Sequence, residues 1–314
     1  MKQTVGRFAP SPSGRMHLGN VLCALLAWLS ARSQNGSFIL RIEDLDPDRC
    51  PRRYADLIED DLAWLGLTWD AGGSKGGPDG SYYQSARTAI YQHYFDRLQQ
   101  EGLVYPCFCS RAALHAASAP HLSDGRVVYP GTCRGLTAAQ VAEKCRVRRP
   151  AMRLRVPDET IAFTDGLQGP CTESLPTECG DFIIRRSDGV FAYQLAVVVD
   201  DALEGVTEVV RGRDLLGSTA RQIWLHRQLG FAPPDFVHIP LLNDVDGRRL
   251  SKRDADLDLG VLRTRFSPAQ LTRALAHAAG LIDRPEPVTP RELIPEFSWS
   301  KVPAGDLCLP AGFF

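Results

Sequence analysis

The sequence predicts an α/β protein built on a parallel sheet, interrupted by an insertion and closed by a short helical tail. Three observations lead there. The chain opens with a strand–loop–helix–strand pattern. A cysteine- and proline-rich stretch of different character interrupts that pattern in mid-chain. Strand-like and helical segments then resume beyond it.

Taken in order, Thr4 to Phe8 is a short strand and Ala9 to Gly14 a Pro/Ser/Gly loop. A helical apolar stretch runs from Leu18 to Ser33. Ser37 to Ile42 is a second strand, which completes a βαβ unit and so implies a parallel pair. Asp56 to Leu65 carries Leu57, Ile58, Leu62 and Leu65 at amphipathic-helix spacing. Ala71 to Gly80 is glycine-rich and predicts an exposed loop, and Thr88 to Glu101 another helix. From Gly102 to about Thr177 cysteines, prolines and short β-like runs such as Ala151 to Val156 replace the helical periodicity. Strands are expected again at Phe182 to Arg185 and Phe191 to Val199, a helix at Leu216 to Leu229, and a strand at Phe236 to Leu242. From Ser267 a helix sets Leu271, Leu275 and Ala278 on one face, and the Pro-rich end needs packing against the body to be ordered. The expected division is a first half of the main domain at 1–101, an insertion at 102–180, a second half at 181–258 and a helical stub and tail at 259–314.

With 314 residues, 44% hydrophobic and 23% charged, the chain can bury a sizeable core, so disordered and fibrous classes drop out. A net charge of −1 predicts no strong nonspecific pull on nucleic acid but leaves room for a local basic patch. Basic charge is nearly all arginine. Lysine occurs only at Lys2, Lys75, Lys144, Lys252 and Lys301, so a lysine within a plausible site stands out. The opening MKQTVGRFAPSPSGR reads as strand and turn rather than a secretory signal. The apolar run Val21 to Ala31 has about half the ~20 residues a membrane helix needs. Nine cysteines, an odd number, suit a reducing compartment. The expectation is a cytoplasmic monomer with no membrane partner.

Two loops carry chemistry. Pro10-Ser11-Pro12-Ser13-Gly14-Arg15-Met16-His17-Leu18-Gly19-Asn20 lies between the first strand and the first helix. Glycine there allows close backbone approach, the helix start offers unpaired N–H groups to an anion, and His17 can donate to a phosphate oxygen. The loop is neither a Walker P-loop nor GxGxxG. The second loop, Gly247-Arg248-Arg249-Leu250-Ser251-Lys252-Arg253, places a lysine where it can follow charge building on β- and γ-phosphates. Alone, the first loop reads equally well as a structural turn and N-cap, and the second as a solvated basic loop.

Together the loops are more specific. RFAPSPSGRMHLGN resembles the HIGH-type signature of glutamyl-tRNA synthetases, with His17-Leu18-Gly19-Asn20 in the HIGH slot. RRLSK resembles the KMSKS-type signature, with Leu250-Ser251-Lys252 at its core. The resemblance covers about residues 4 to 265. It implies a Rossmann-like catalytic domain of the class I synthetase type, ATP as substrate with Mg2+ as its companion, and adenylate formation with release of pyrophosphate. It makes His17, Ser251 and Lys252 the catalytic candidates and puts Pro10, Ser11, Gly14, Gly19, Asn20 and Leu250 around ATP. Asn20 departs from the pattern, which has a second histidine there.

L-Glutamate has two carboxylates and one ammonium, so its pocket needs cationic or donor clusters and one carboxylate. Arg7, Glu43, Tyr193 and Arg211 fall near expected strand ends, where open α/β sheets bind ligands. Each alone is equally well a solvated turn or a surface ion pair. By the resemblance, Glu43 would hold the α-ammonium, and Arg7, Ser11, Tyr193 and Arg211 the carboxylates, with Arg211 reading the side-chain one. Val197 departs from a position that is often polar in the family, which predicts weaker glutamate binding.

Cys107, Cys109 and Cys133 supply three zinc ligands of a tetrahedral set. His115, His121 and Tyr129 are candidates for the fourth, and three reduced buried cysteines without metal is the plain alternative. Resemblance to short paralogues of the synthetases favours Tyr129 and one Zn2+ per chain in an inserted α+β subdomain. About sixty residues follow Arg253, too few for the family's anticodon-binding domain. This resembles truncated paralogues that activate glutamate without tRNA and transfer it to queuosine at the first anticodon position of tRNA(Asp), docking the anticodon arm. A minimal enzyme charging the tRNA 3′ end and a catalytically idle tRNA-binding paralogue are the alternatives.

Overall fold

The computed structural model describes residues 3–110, 128–243 and 258–308. Strands β1 (Val5–Phe8) and β2 (Ser37–Leu40) pair in parallel across α1 (Leu18–Ser33), with Val5 opposite Ser37 and Phe8 opposite Leu40. Eleven of the sixteen α1 residues are buried, so the helix is a core element with no broad solvent face. Helix α2 (Arg52–Leu65) is instead amphipathic and ends in a left-handed glycine cap at Gly66. Edge strand β3 (Ala71–Gly72) pairs with β2, and α3 (Thr88–Gln100) leads into the insertion.

The insertion begins with β4 (Val104–Cys107), followed by α4 (Ala138–Val147), β5 (Ala151–Leu154), the hairpin β6 (Thr160–Asp165) and β7 (Gly169–Ser174), and β8 (Phe182–Arg185). Strands β4, β5 and β8 form an antiparallel sheet. The main domain resumes with α5 (Tyr193–Leu203), β9 (Glu208–Gly212), α6 (Thr219–Gln228) and β10 (Asp235–Ile239). Strand β11 (Leu242–Asn243), helices α7 (Leu259–Arg265), α8 (Pro268–Ala278) and α9 (Pro290–Leu293), and strand β12 (Leu307–Cys308) follow.

The main sheet is all parallel in the order β10-β9-β1-β2-β3. The chain moves from β1 outward through β2 and β3, then returns on the other side of β1 as β9 and β10. Strand order therefore reverses beside β1, and the crevice outside the carboxyl ends of β1 and β9 is the expected ligand position. Successive strand residues divide between two cores. Val210, Val237 and Ile239 join α1, α2 and the tail, while Val209 and Phe236 join α3, α5 and α6. The described part of the tail packs back on the body: Trp299 Nε1 donates to Ser30 Oγ at 3.2 Å, and β12 pairs with β11. Among the described residues no helix is long and apolar enough to cross a membrane.

Several expectations need correction. Phe191 to Val199 is not a strand. Tyr193 opens α5, because Leu195 through Asp201 are all buried, and a helix inside a core overrides the β preference of Val197, Val198 and Val199. Val197 lies in that core, away from the cavity described below. Phe182 to Arg185 is a strand but pairs with β5, extending the insertion's sheet past residue 180. Ala71 and Gly72 form an edge strand rather than an exposed loop. A Cβ on Gly72 (φ +101°) would lie 2.0 Å from Leu40 O, so this glycine serves close strand approach. The helix expected from Leu216 begins at Thr219, after a 3-10 segment at Arg213–Ser218.

Candidate active site

The first loop leaves β1 and enters α1 at the switch point. His17 is the N-cap of α1: its Nδ1 accepts from Gly19 N–H at 3.1 Å, while its own N–H donates to Asn20 Oδ1 at 3.2 Å. This reciprocal box explains Asn20 locally, and a polar residue three positions after a cap was its legible signal. Accepting at Nδ1 puts the neutral imidazole's proton on Nε2. A Cβ on Gly19 would lie 3.0 Å from the His17 ring and would press the capping imidazole aside by a few tenths of an ångström.

Arg7, Pro10, Ser11, His17, Gly19, Asn20, Glu43, Tyr193 and Arg211 line one cavity of about 410 Å³. The fold thus brings together residues from β1, the first loop, the end of β2, α5 and β9. Tyr193 enters from a helix start instead of a strand end. Gly14 does not line this cavity, and a Cβ there would meet nothing within 4 Å. Leu250, Ser251 and Lys252 lie outside the described residues, as do His115 and His121. Cys23 also lines the cavity, its thiol pushed up to about 11 by burial.

One end of the cavity borders a buried ionic cluster. Arg7 Nε lies 3.3 Å from Asp201 Oδ1, and Arg7 Nη1 donates to Val210 O at 3.1 Å. Arg41 Nη2 lies 2.6 Å from Asp201 and Nη1 2.7 Å from Glu204. Arg87 Nε lies 2.7 Å from Asp200, which also accepts from Gln84 and Tyr91. Three guanidinium groups, Arg7, Arg41 and Arg87, thus face four carboxylates, Glu43, Asp200, Asp201 and Glu204. Glu43 and Glu204 each leave Oε1 without a hydrogen bond, but Glu204 Oε2 accepts from Arg41 at 2.7 Å while Glu43 Oε1 lies 3.7 Å from Arg41 Nη2. Burial raises its carboxyl to about 7 against the pull of Arg41 and Arg7. A cation beside Glu43 would balance the cluster.

Arg211, also in the lining, is the converse. Arg211 is buried, and its described partners are all neutral. Nε donates to His238 Nε2 at 2.9 Å, Nη1 to Gln222 Oε1 at 2.7 Å, and Nη2 to Thr219 Oγ1 at 3.0 Å. Its two weakest bonds, both 3.4 Å, go to Tyr193 OH and Leu215 O, and these residues line the cavity. Burial lowers its affinity for the proton, yet a guanidinium stays charged. A buried cation with no carboxylate partner calls for an anion. Arg41, Asp200, Asp201, Glu204 and His238 escaped the sequence reading, because nothing near them in the chain marks them as neighbours of the cavity.

In the insertion, the thiol sulfurs of Cys107, Cys109 and Cys133 lie within 4.8 Å of one another, with Cys109 Sγ 3.7 Å from Cys133 Sγ. Tetrahedral zinc with ~2.3 Å bonds to sulfur spaces its thiolates by about 3.8 Å, so the sulfurs fit. Tyr129 OH lies 3.5 Å from Cys107 Sγ and accepts from Cys133 N–H at 2.7 Å. None of the nine cysteines is in a disulfide.

A family profile described as tRNA synthetases class I (E and Q), catalytic domain, matches residues 3–276. The glutamyl-Q tRNA(Asp) synthetase of Symbiobacterium thermophilum is 52% identical over 310 residues, covering 98% of this chain and 96% of the relative. That of Nitratidesulfovibrio vulgaris is 50% identical over 309 residues, covering 98% and 95%. The crystal structure of a glutamate tRNA ligase from Elizabethkingia meningosepticum in complex with its amino acid superposes with a TM-score of 0.84 at 28% identity, covering 99% of this chain and 68% of that one. The chain is therefore a ligase-type enzyme and belongs to the class I tRNA synthetases of the glutamate and glutamine group, among the glutamyl-Q tRNA(Asp) synthetases.

Proposed function

We propose that the chain activates L-glutamate with ATP, without tRNA, and then transfers the glutamate to queuosine at the first anticodon position of tRNA(Asp), working in the cytoplasm as a monomer. The observation that carries the first step is the charge pattern of the cavity. It holds an under-satisfied carboxylate at Glu43 and an arginine with neutral partners at Arg211. An α-ammonium suits the first and a side-chain carboxylate the second. Glutamine would present an amide NH2 to the donors of Arg211, which is the basis for selecting glutamate.

Activation needs no covalent enzyme intermediate. An α-carboxylate oxygen of glutamate attacks the α-phosphorus of ATP, the bond to the β-phosphate breaks, and pyrophosphate leaves with that electron pair. His17 Nε2–H and the α1 N-terminus would stabilise the phosphates, and Ser11 and Arg7 the carboxylate side. Lys252, with Leu250 and Ser251, would meet the β- and γ-phosphates from the second loop. Mg2+ would arrive with ATP. Cys107, Cys109, Cys133 and Tyr129 would hold one structural Zn2+ and brace the insertion. The acceptor assignment is supported by relatives bearing the glutamyl-Q name that align over nearly the whole of both chains.

The test has two parts. Glutamate-dependent ATP–pyrophosphate exchange without tRNA is expected, and its absence would leave an idle paralogue. Labelled glutamate should then appear in the anticodon loop of queuosine-containing tRNA(Asp). An alkali-labile ester on the 3′-terminal ribose would instead identify an enzyme that charges the tRNA end.

A further inference from the structure

The Arg211 side chain is held by a chain of contacts that starts in the insertion. His238 and Arg211 are directly paired residues on the parallel strands β10 and β9, so their side chains stand on the same face. Arg211 Nε lies 2.9 Å from His238 Nε2. A guanidinium only donates, so that ring nitrogen must accept, and the imidazole proton must sit on Nδ1. His238 Nδ1 lies 2.6 Å from Asp165 Oδ2, at the end of β6. The acceptor that fixes the tautomer is therefore a residue of the inserted hairpin.

The hairpin tip is shaped to hold His238. Asp165 Oδ1 accepts the backbone N–H groups of Leu167 at 3.0 Å, Gln168 at 2.9 Å and His238 itself at 3.1 Å. Gln168 Nε2 donates to His238 O at 2.9 Å, and Gly166 N–H to Phe236 O at 2.8 Å. Both backbone groups of His238 and its ring are thus gripped by one turn. Around the ring stand Asp165, Arg211 and Thr219, whose Oγ1 is 3.2 Å from Nε2, with Phe236 stacked alongside. Burial lowers the imidazole's affinity for a proton and the Arg211 cation opposes protonation further, which together outweigh the pull of Asp165 and keep His238 a neutral acceptor.

We infer that Asp165 is a positioning residue for amino-acid recognition: through the Nδ1–H tautomer of His238 it aims Arg211 at the side-chain carboxylate of the substrate. The inference rests on the glutamate reading of the cavity. It makes selectivity in the catalytic domain depend on a hairpin of the insertion. An asparagine at 165 can keep the backbone N–H bonds only by turning its amide NH2 toward His238. The ring then moves its proton to Nε2 and presents a donor to the Arg211 donor, which must swing away.

The test is calorimetric binding of glutamate, glutamine and ATP to the full chain and to Asp165→Asn, His238→Gln, the double variant and Arg211→Lys. Gln at 238 can offer an amide oxygen near the Nε2 position without needing Asp165 to choose a tautomer. Asp165→Asn should weaken glutamate about tenfold or more, narrow the glutamate–glutamine difference and leave ATP within about twofold. In the His238→Gln background the same substitution should cost less than about twofold. Equal losses in both backgrounds, or none in either, would overturn the inference. Ring 15N shifts in the unmodified protein, assigned to His238 by comparison with His238→Gln, give a check that needs no folded Asp165 variant: a proton on Nε2 overturns the inference. Unchanged glutamate affinity in Arg211→Lys would instead overturn the pocket assignment and leave the tautomer standing.

Discussion

Replacing Glu43 with glutamine tests the charge logic of the cavity most directly. In the wild type its carboxylate is one of four facing three guanidinium groups, and its Oε1 is without a hydrogen bond. Binding an ammonium there restores balance. A charge-assisted hydrogen bond contributes about 1.5–3 kcal/mol, so Glu43→Gln should weaken glutamate roughly 10- to 150-fold at about 1.4 kcal/mol per decade. The pH profile adds a second signature. Burial sets this carboxyl near 7, so about nine-tenths is ionised at pH 8 and about one-tenth at pH 6. Free glutamate keeps all three of its charges across that window. KM for glutamate should therefore rise about tenfold from pH 8 to pH 6 in the wild type and stay nearly flat in Glu43→Gln. Glu204 also titrates near 7, but it accepts from Arg41 at 2.7 Å, away from the cavity lining. The assay is pyrophosphate exchange against glutamate concentration at five pH values. An unchanged KM, or the same pH slope in the variant, would refute the reasoning. The free protein should respond in the opposite sense. A carboxyl titrating near 7 folded and near 4.5 unfolded costs folding more as pH rises from 4.5 to 7, reaching about 3 kcal/mol. Removing it should raise Tm at pH 8 while binding is lost.

His17→Asn should keep the α1 cap, because asparagine caps well, and so hold Tm within about 2 °C. It removes the Nε2–H donor, so exchange should fall about 100-fold; unchanged exchange would make His17 a cap alone. Arg211→Cys should erode the preference for glutamate over glutamine in competition binding, and an intact preference would remove Arg211 as the reader. Metal analysis of the purified protein should find about one zinc per chain, with Cys133→Ala losing it and Tyr129→Phe binding it more weakly by roughly 10- to 100-fold. Absence of zinc from the wild type would return Cys107, Cys109 and Cys133 to reduced core thiols.

Signals confined to one stretch of chain were legible. The βαβ start follows from apolar runs at Val5–Phe8, Leu18–Ser33 and Ser37–Leu40, separated by a Pro/Ser/Gly loop. Leu259 N–H donates to Met16 O at 2.9 Å, which ties the start of α7 to the first loop. Misreadings arose where burial changed the meaning of local preference. Val197, Val198 and Val199 favour a strand in isolation but form a helix buried in one core. The glycines of Ala71 to Gly80 suggest a loop, yet Gly72 is required by contact with Leu40.

By itself the sequence determined the parallel α/β class and a strand–loop–helix start, because these rest on short-range pattern, whereas Arg7, Glu43 and Arg211 were joined in one expected site only by the family resemblance. Only the tertiary structure decided which charges are balanced. Asp200, Asp201 and Glu204 pair with Arg7, Arg41 and Arg87, and Glu43 beside them has no hydrogen bond at Oε1. His238 and Asp165, 73 residues apart in the chain, meet Arg211 from strand β10 and the inserted hairpin. Ionisation and selectivity depend on distances of a few ångströms in a water-poor interior, and folding sets those distances among residues far apart in sequence.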